Sequence, residues 1–416
     1  MRVTLVLSLL SVALVSACGG TRATCRPDTC GGCCTLDDRC LAGTSTASCG
    51  AGGSLCDTCV GAQVCGVSGR CEAPVTMAFD AGQPDAGTMA FDGGQPDAGA
   101  PTTGPITAPS EQWTWVDFPT AVCGNGSPTG LGVNLTSRSS DVIIYLQGGG
   151  ACWNQATCSL GFATDLDGYD GQQFAGDGIR NQGAFNRTLT TNPFRDASFV
   201  FIPYCTGDVH SGDRLAPYGI HHRGAANVRA YLERLKETFP GPRRIFVVGV
   251  SAGGFGVQFN YFRFAEAFPQ AEVHALADSA QLINPGGGRL AEFISAWGTQ
   301  QPPGCTNCLQ DFTRVPGWLA TTWPNRRFAL LAFSRDSVLS PFLGLDQMAF
   351  EMATTQLLMG EYQTRANLKS YVVDPPMPAH VMLTSLTTRS VMGVSLSSWV
   401  GQFVTGAPGW TNVRGP

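Results

Sequence analysis

Charge is scarce in this chain of 416 residues: Asp, Glu, Lys and Arg make up 14% of it, and acids exceed bases by a net −5. No basic footprint exists to neutralise a phosphate backbone, so nucleic acid is excluded as a partner. Histidine is rarer still, at five, and a reaction that needs an imidazole has few places to find one. The apolar run at the N-terminus, Val3 to Val15, is too short for a good membrane span. Hydrophobic residues, at 43%, are nevertheless plentiful enough for a sizeable core.

The N-terminal run has the form of an export signal. Arg2 supplies a basic head, and Val15-Ser16-Ala17-Cys18 ends it, with small residues abutting a cysteine as in the bacterial lipobox. The expected products are a signal peptide over 1–17 and a lipidated N-terminus and tether over 18–24. Acyl chains on Cys18 would hold the protein to a membrane at ~0.8 kcal/mol per buried methylene. Glycines rather than aspartate after Cys18 point to the outer membrane or cell surface. Setting Cys18 aside leaves sixteen of the 17 cysteines, an even number that favours disulfides in an exported chain.

Ten of these lie between Cys25 and Cys71, in a segment with few aliphatic residues and no tryptophan. Such a segment cannot bury much core, so residues 25–74 are expected to form a small module stapled by up to five disulfides. Cys30/Cys33 and Cys56/Cys59 have the spacing of zinc sites, but an oxidising compartment favours disulfides, and no metal or cofactor is expected. Two near-identical stretches follow, "TMAFDAGQPDAG" and "TMAFDGGQPDAG", without any periodic apolar face. Residues 75–108 therefore read as a flexible linker.

From residue 109 to 416 the composition is that of a globular domain. "DVIIYL", "ASFVFIPY", "RRIFVVGV", "EVHALAD", "RRFALLAF" and "KSYVVD" read as strands. Helical patterns separate several of them, over Ala225 to Phe239, Gly256 to Phe268 and Leu345 to Leu358. Near-continuous apolar strands alternating with helices predict a mostly parallel sheet covered on both faces. Ligands of such sheets sit beyond the carboxyl ends of the strands.

There the sequence places Gly249-Val250-Ser251-Ala252-Gly253, a G-x-S-x-G elbow between strand and helix, as in α/β-hydrolases. A serine hydroxyl needs a base, and that fold sets the chain order Ser, acid, His. Only His274 and His380 follow Ser251. His274 lies inside a predicted strand, whereas His380 follows the last one in a loop and is the candidate base. Asp336, just after an apolar strand, is favoured as the orienting acid, with Asp278 as the alternative and Asp346 as a helix start. The oxyanion donors are expected to be the N–H groups of Ala252 and of Gly149 and Gly150, in the glycine loop after "IIYL".

Four motifs in order, "LQGGGACWNQATC", "IPYCTGDVHSGD", "GVSAGGFG" and "AHVML", resemble the pectin acetylesterase and Notum family of serine esterases. The resemblance covers most of 111–416 and implies an α/β-hydrolase-like fold with Ser251, Asp336 and His380 as triad. It also implies an acetyl ester on a polysaccharide as substrate, or a fatty-acyl ester on the Notum branch. Gln147 stands where many relatives have Glu, and Ala151 where they have Trp, which bears on the pocket wall more than on the chemistry. A rival of another class is a non-catalytic glycan-binding lipoprotein.

The remaining cysteines suit an exported hydrolase, pairing as Cys152–Cys158, Cys305–Cys308 and, by elimination, Cys123–Cys205. Asp208 and His210 either line the substrate cleft or hold their own loop. His221 and His222 are expected to cap or pack.

Overall fold

In a computed structural model of the chain, the described residues are 104–416 apart from 387 and, nearer the N-terminus, 25–26, 30, 32–35, 39–41, 44–45, 48–60, 63–65 and 70–72. The expected signal peptide, Cys18 and most of the repeat linker lie outside the described residues. The chain divides into two compact units, Met1–Gln95 and Pro96–Pro416.

In the first unit, all ten cysteines are paired: Cys25–Cys34, Cys30–Cys40, Cys33–Cys56, Cys49–Cys65 and Cys59–Cys71. All four cysteines of the two C-x-x-C spacings are taken up in bridges, Cys33 with Cys56, Cys30 with Cys40 and Cys59 with Cys71, which leaves no thiolate among them for zinc. Cys30, Cys33 and Cys49 are buried, so the bridges themselves stand in for an aliphatic core. The strands are two residues long; 33–34 pairs antiparallel with 40–41 and parallel with 54–55.

The second unit is built on one nine-stranded sheet. Its strands are β1 (Thr114–Val122), β2 (Pro128–Asn134), β3 (Val142–Leu146), β4 (Ser198–Ile202), β5 (Arg244–Val250), β6 (Glu272–Asp278), β7 (Phe328–Phe333), β8 (Leu368–Val373) and β9 (Val413–Gly415). Their order is β9-β8-β7-β6-β5-β3-β4-β2-β1. From β9 to β4 every pair is parallel; β2 joins β4 and β1 antiparallel. The six expected strands are all present. The β1–β2 hairpin was not legible because Pro119, Gly130 and Gly132 interrupt its pattern; yet a Cβ on Gly130 would lie 2.1 Å from the Val116 carbonyl oxygen. Close strand approach dictates that glycine.

Period-two alternation splits the strands between two cores. Ile144, Leu146, Val200, Ile202 and Val247 face one side, with helices α1 (Gly224–Thr238), α2 (Ala252–Ala267), α3 (Arg289–Trp297), α4 (Arg314–Thr322) and α5 (Gln347–Leu357). Ile143, Tyr145, Phe199, Phe201, Phe246 and Val248 face the other, with α6 (Leu396–Thr405). Both faces are thus covered, as a parallel sheet requires.

Two boundaries differ from the sequence expectation. Residues 104–108, assigned to the linker, include a buried Ile106 whose N–H donates to Thr238 Oγ1 at 2.8 Å. Helix α2 begins at Ala252 rather than Gly256. Gly253 and Gly254 are poor helix formers, but a Cβ on Gly253 would sit 2.0 Å from the Leu146 carbonyl oxygen. Packing against β3, not propensity, sets that helix start.

Candidate active site

Ser251 follows β5 directly and is the N-cap of α2, with φ 53° and ψ −123°. A non-glycine residue there carries roughly 1–3 kcal/mol of strain. The corner is fixed by its neighbours: Ser251 N–H donates to the Asp278 carbonyl at 2.8 Å, and a Cβ on Gly249 would lie 2.3 Å from the Gly253 carbonyl oxygen.

The glycine loop after β3 packs onto this corner. A Cβ on Gly148 would meet the Val250 carbonyl oxygen at 2.5 Å and Ser251 Cβ at 3.1 Å. Gly150 has φ 73°, and a Cβ on it would lie 2.0 Å from the Phe162 carbonyl oxygen. A backbone bridge from Gly150 to Ala163 and the bond from Thr164 N–H to the Gly149 carbonyl, 2.8 Å, hold the loop open. Gly150 and Ala252 share one pocket with Ser251. Behind the loop, Cys152–Cys158 is bridged, as are Cys123–Cys205 and Cys305–Cys308. The Cys152 carbonyl accepts the Trp297 indole N–H at 2.7 Å.

Asp336 follows β7 and is fully buried. Its Oδ1 accepts the N–H groups of Val338 at 2.9 Å and Leu339 at 2.8 Å. His380, in the loop after β8, approaches both carboxylate oxygens with Nδ1 at 2.9 Å. A carboxylate only accepts, so Nδ1 carries the proton and Nε2 is left as an acceptor. A parallel bridge between Asp336 and Ala379 ties the two loops together.

The other sequence-selected residues fall as follows. Asp278 is buried at the end of β6 and binds the backbone of Met382 and Leu383 rather than the His380 ring. Asp346 caps α5 through Ala349 N–H at 2.7 Å. Asp208 is buried and accepts from Thr206 Oγ1 and from the N–H groups of His210, Gly212 and Gly224. His210 is buried too, with Nε2 2.9 Å from the Gln147 carbonyl and its ring against Tyr204. Of that loop only Val209 reaches the pocket. His222 donates from Nδ1 to the Thr206 carbonyl and accepts at Nε2 from the Tyr218 hydroxyl, each at 2.8 Å. His274 is buried, and burial together with Arg327, Arg326 and Arg244 lowers it to about 2, so it stays neutral. Gln147 donates to Asp177 Oδ2 at 3.2 Å and accepts Tyr204 N–H at 2.9 Å. A glutamate could not make both bonds.

The pocket itself was not legible, because its walls come from distant segments. It has a volume of about 420 Å³ beside Ser251. Trp153 and Phe162 come from the glycine-loop side, Phe255 from α2, and Val338, Leu339 and Phe342 from the acid loop. Phe342 stacks on Phe293 with centroids 5.1 Å apart. Arg289 is the only charged lining residue; its guanidinium lies over Trp153 and donates to the Pro341 and Phe342 carbonyls at 2.5 and 2.6 Å. Ala151, where a larger residue would fill space, also lines it.

A mostly parallel, two-sided sheet with a strained serine elbow after a central strand is the architecture of an α/β-hydrolase. The Wnt deacylase Notum from Drosophila shares it, with a TM-score of 0.54 at 17% identity over 71% of this chain and 93% of that one. Residues 111–296 match the pectinacetylesterase family model, and the hydrolase unit is similar to members of the pectin acetylesterase and Notum family. Human palmitoleoyl-protein carboxylesterase NOTUM is 29% identical over 171 residues, 39% of this chain and 34% of the relative. Pectin acetylesterase 11 of Arabidopsis thaliana is 25% identical over 231 residues, 51% and 58% respectively. The chain spans about a third of the length of the Notum relatives it matches. Its disulfides mark it as an exported protein.

Proposed function

We propose that this chain is a serine esterase whose acyl group is longer than acetyl. The observation that carries the reading is the 420 Å³ apolar pocket opening on Ser251, within the volume range of sites that bury most of a small ligand. An acetyl group, the substrate implied by the polysaccharide branch of the family, would leave most of it unfilled. The fatty-acyl reading fits it better.

In the proposed reaction His380 Nε2 takes the Ser251 proton as Oγ bonds to the ester carbonyl carbon. Asp336 holds the imidazole in the required tautomer and stabilises the imidazolium. The N–H groups of Gly149, Gly150 and Ala252 receive the oxyanion. The imidazolium proton passes to the leaving alkoxide, the ester C–O bond breaks, and water then repeats the sequence to free Ser251 and a carboxylic acid.

The test is a series of p-nitrophenyl esters from acetyl to palmitoyl on the full chain. At ~0.8 kcal/mol per buried methylene, kcat/KM should rise about fourfold for each carbon until the pocket is full. Ala151→Trp should shift the optimum toward shorter chains. An acetyl optimum in the unsubstituted protein would return the substrate to the polysaccharide class.

The anchor belongs to the same proposal. Lipid on Cys18, followed by a spacer, would hold the esterase at the outer membrane or cell surface. Palmitate fed to expressing bacteria should label the protein, and Cys18→Ser should abolish the label. Equal labelling of both would remove Cys18 as the anchor.

A further inference from the structure

Asp278 has no task in the reaction above, yet it touches both halves of the site. Its backbone carbonyl accepts Ser251 N–H at 2.8 Å. Its Oδ2 accepts Met382 N–H at 2.8 Å and Leu383 N–H at 2.7 Å. Its Oδ1 accepts the Ser279 hydroxyl at 3.2 Å, and that hydroxyl oxygen accepts Val381 N–H at 3.0 Å. The three amides that follow His380 therefore converge on one dipeptide. Val381 has φ 51°, a region that a β-branched residue enters only when its surroundings impose it. Ser279 shares that φ.

We propose that Asp278, relayed by Ser279, is a positioning residue that sets base against nucleophile: its backbone holds Ser251 and its carboxylate holds the 380–383 turn. This rests on the serine-esterase reading. Fold stability does not account for the charge on this group, as distinct from its acceptor oxygens. Burial raises Asp278 to about 6, against the opposing pull of Leu383, Met382, Ser279 and the nearby His380. A folded value above the ordinary 3.8 contributes stability below about pH 4 and loses it as pH rises through about 6. At neutral pH the carboxylate costs the fold, and its amide bonds serve the geometry of the turn.

The test compares full-length variants, with kcat normalised to sites titrated by a fluorophosphonate. A misplaced group costs about a hundredfold in rate, so Asp278→Ala should lose about that factor in kcat with KM changed less than about twofold. Asp278→Asn should recover to within about fivefold, because one amide oxygen can take both amides as Oδ2 does, and at pH 8 it should melt no lower than the parent. A residue serving structure alone would lower the melting temperature and leave kcat per titrated site untouched; that result overturns the proposal. So does an asparagine variant no better than alanine. If Asp278→Ala does not fold, Ser279→Ala removes only the acceptor of Val381 and should lower kcat about tenfold at unchanged KM; no fall overturns the proposal. Ser251→Ala in parallel separates the two readings. Full turnover by that variant sinks the esterase mechanism and this inference together, whereas normal turnover by Asp278→Ala, beside a silent Ser251→Ala, sinks this inference alone.

Discussion

Ser251→Gly is expected to silence ester hydrolysis and to raise the melting temperature in the same molecule. Loss of the nucleophile removes the acyl-enzyme route, and kcat should fall by about a million-fold, the scale seen when a triad serine is lost. The backbone argument runs the other way. At φ 53° and ψ −123° Ser251 occupies the mirror image of an extended conformation, strained for any residue with a Cβ and open to glycine. Relief of ~1–3 kcal/mol of strain, less roughly 0.5–1 kcal/mol for glycine's extra freedom in the unfolded chain, leaves about 1 kcal/mol of stabilisation. For a unit of this size that is a rise of about 2 °C. Calorimetry and a fluorophosphonate labelling assay on one sample check both halves. Retained turnover would remove Ser251 as nucleophile; a lower melting temperature would remove the strain argument.

Asp336→Asn should lower kcat about ten-thousand-fold while the protein stays folded, the scale expected of a wrong histidine tautomer. The backbone around Asp336 makes this outcome hard to avoid. The Val338 and Leu339 amides both donate to Oδ1, and an asparagine must answer them with its carbonyl oxygen. Its NH2 then faces His380 Nδ1, forces that nitrogen to accept, and moves the imidazole proton to Nε2. A base protonated at Nε2 cannot take a proton from serine. KM should change little, because the side chain at 336 is buried away from the pocket walls. Rates measured from pH 6 to 9 check this, and a loss under tenfold would mean that another group orients His380.

The residues proposed for the central chemistry stand out in the sequence because their signals are local. A serine between small residues at a strand end, a glycine loop one residue past another strand, and a lone loop histidine can each be read from a few neighbours. The same holds for the central strands, whose buried faces leave unbroken apolar runs. What stayed hidden depends on contacts across the sheet. Asp278 and Asp336 look alike in sequence, each an aspartate at or just past the end of an apolar strand; only the fold shows one facing an imidazole and the other facing amides. The pocket draws on residues from 150 to 342, and no window of sequence holds more than one of its walls. Asp208 and His210, with readings evenly open in sequence, are buried in a hydrogen-bonded loop, and such bonding is set by three-dimensional neighbours.

Val338 and Leu339 serve two masters: their amides fix Asp336 and they line the pocket beside Ser251. Under the proposed mechanism, substrate choice and reaction rate are written on the same peptide, and an altered side chain here is expected to disturb one whenever it retunes the other. The opposite wall, Trp153 and Phe162, carries no such bond to the acid. Natural drift and laboratory selection toward new acyl groups should accumulate on that wall, leaving the 338–339 peptide as the part of the pocket that history changes last.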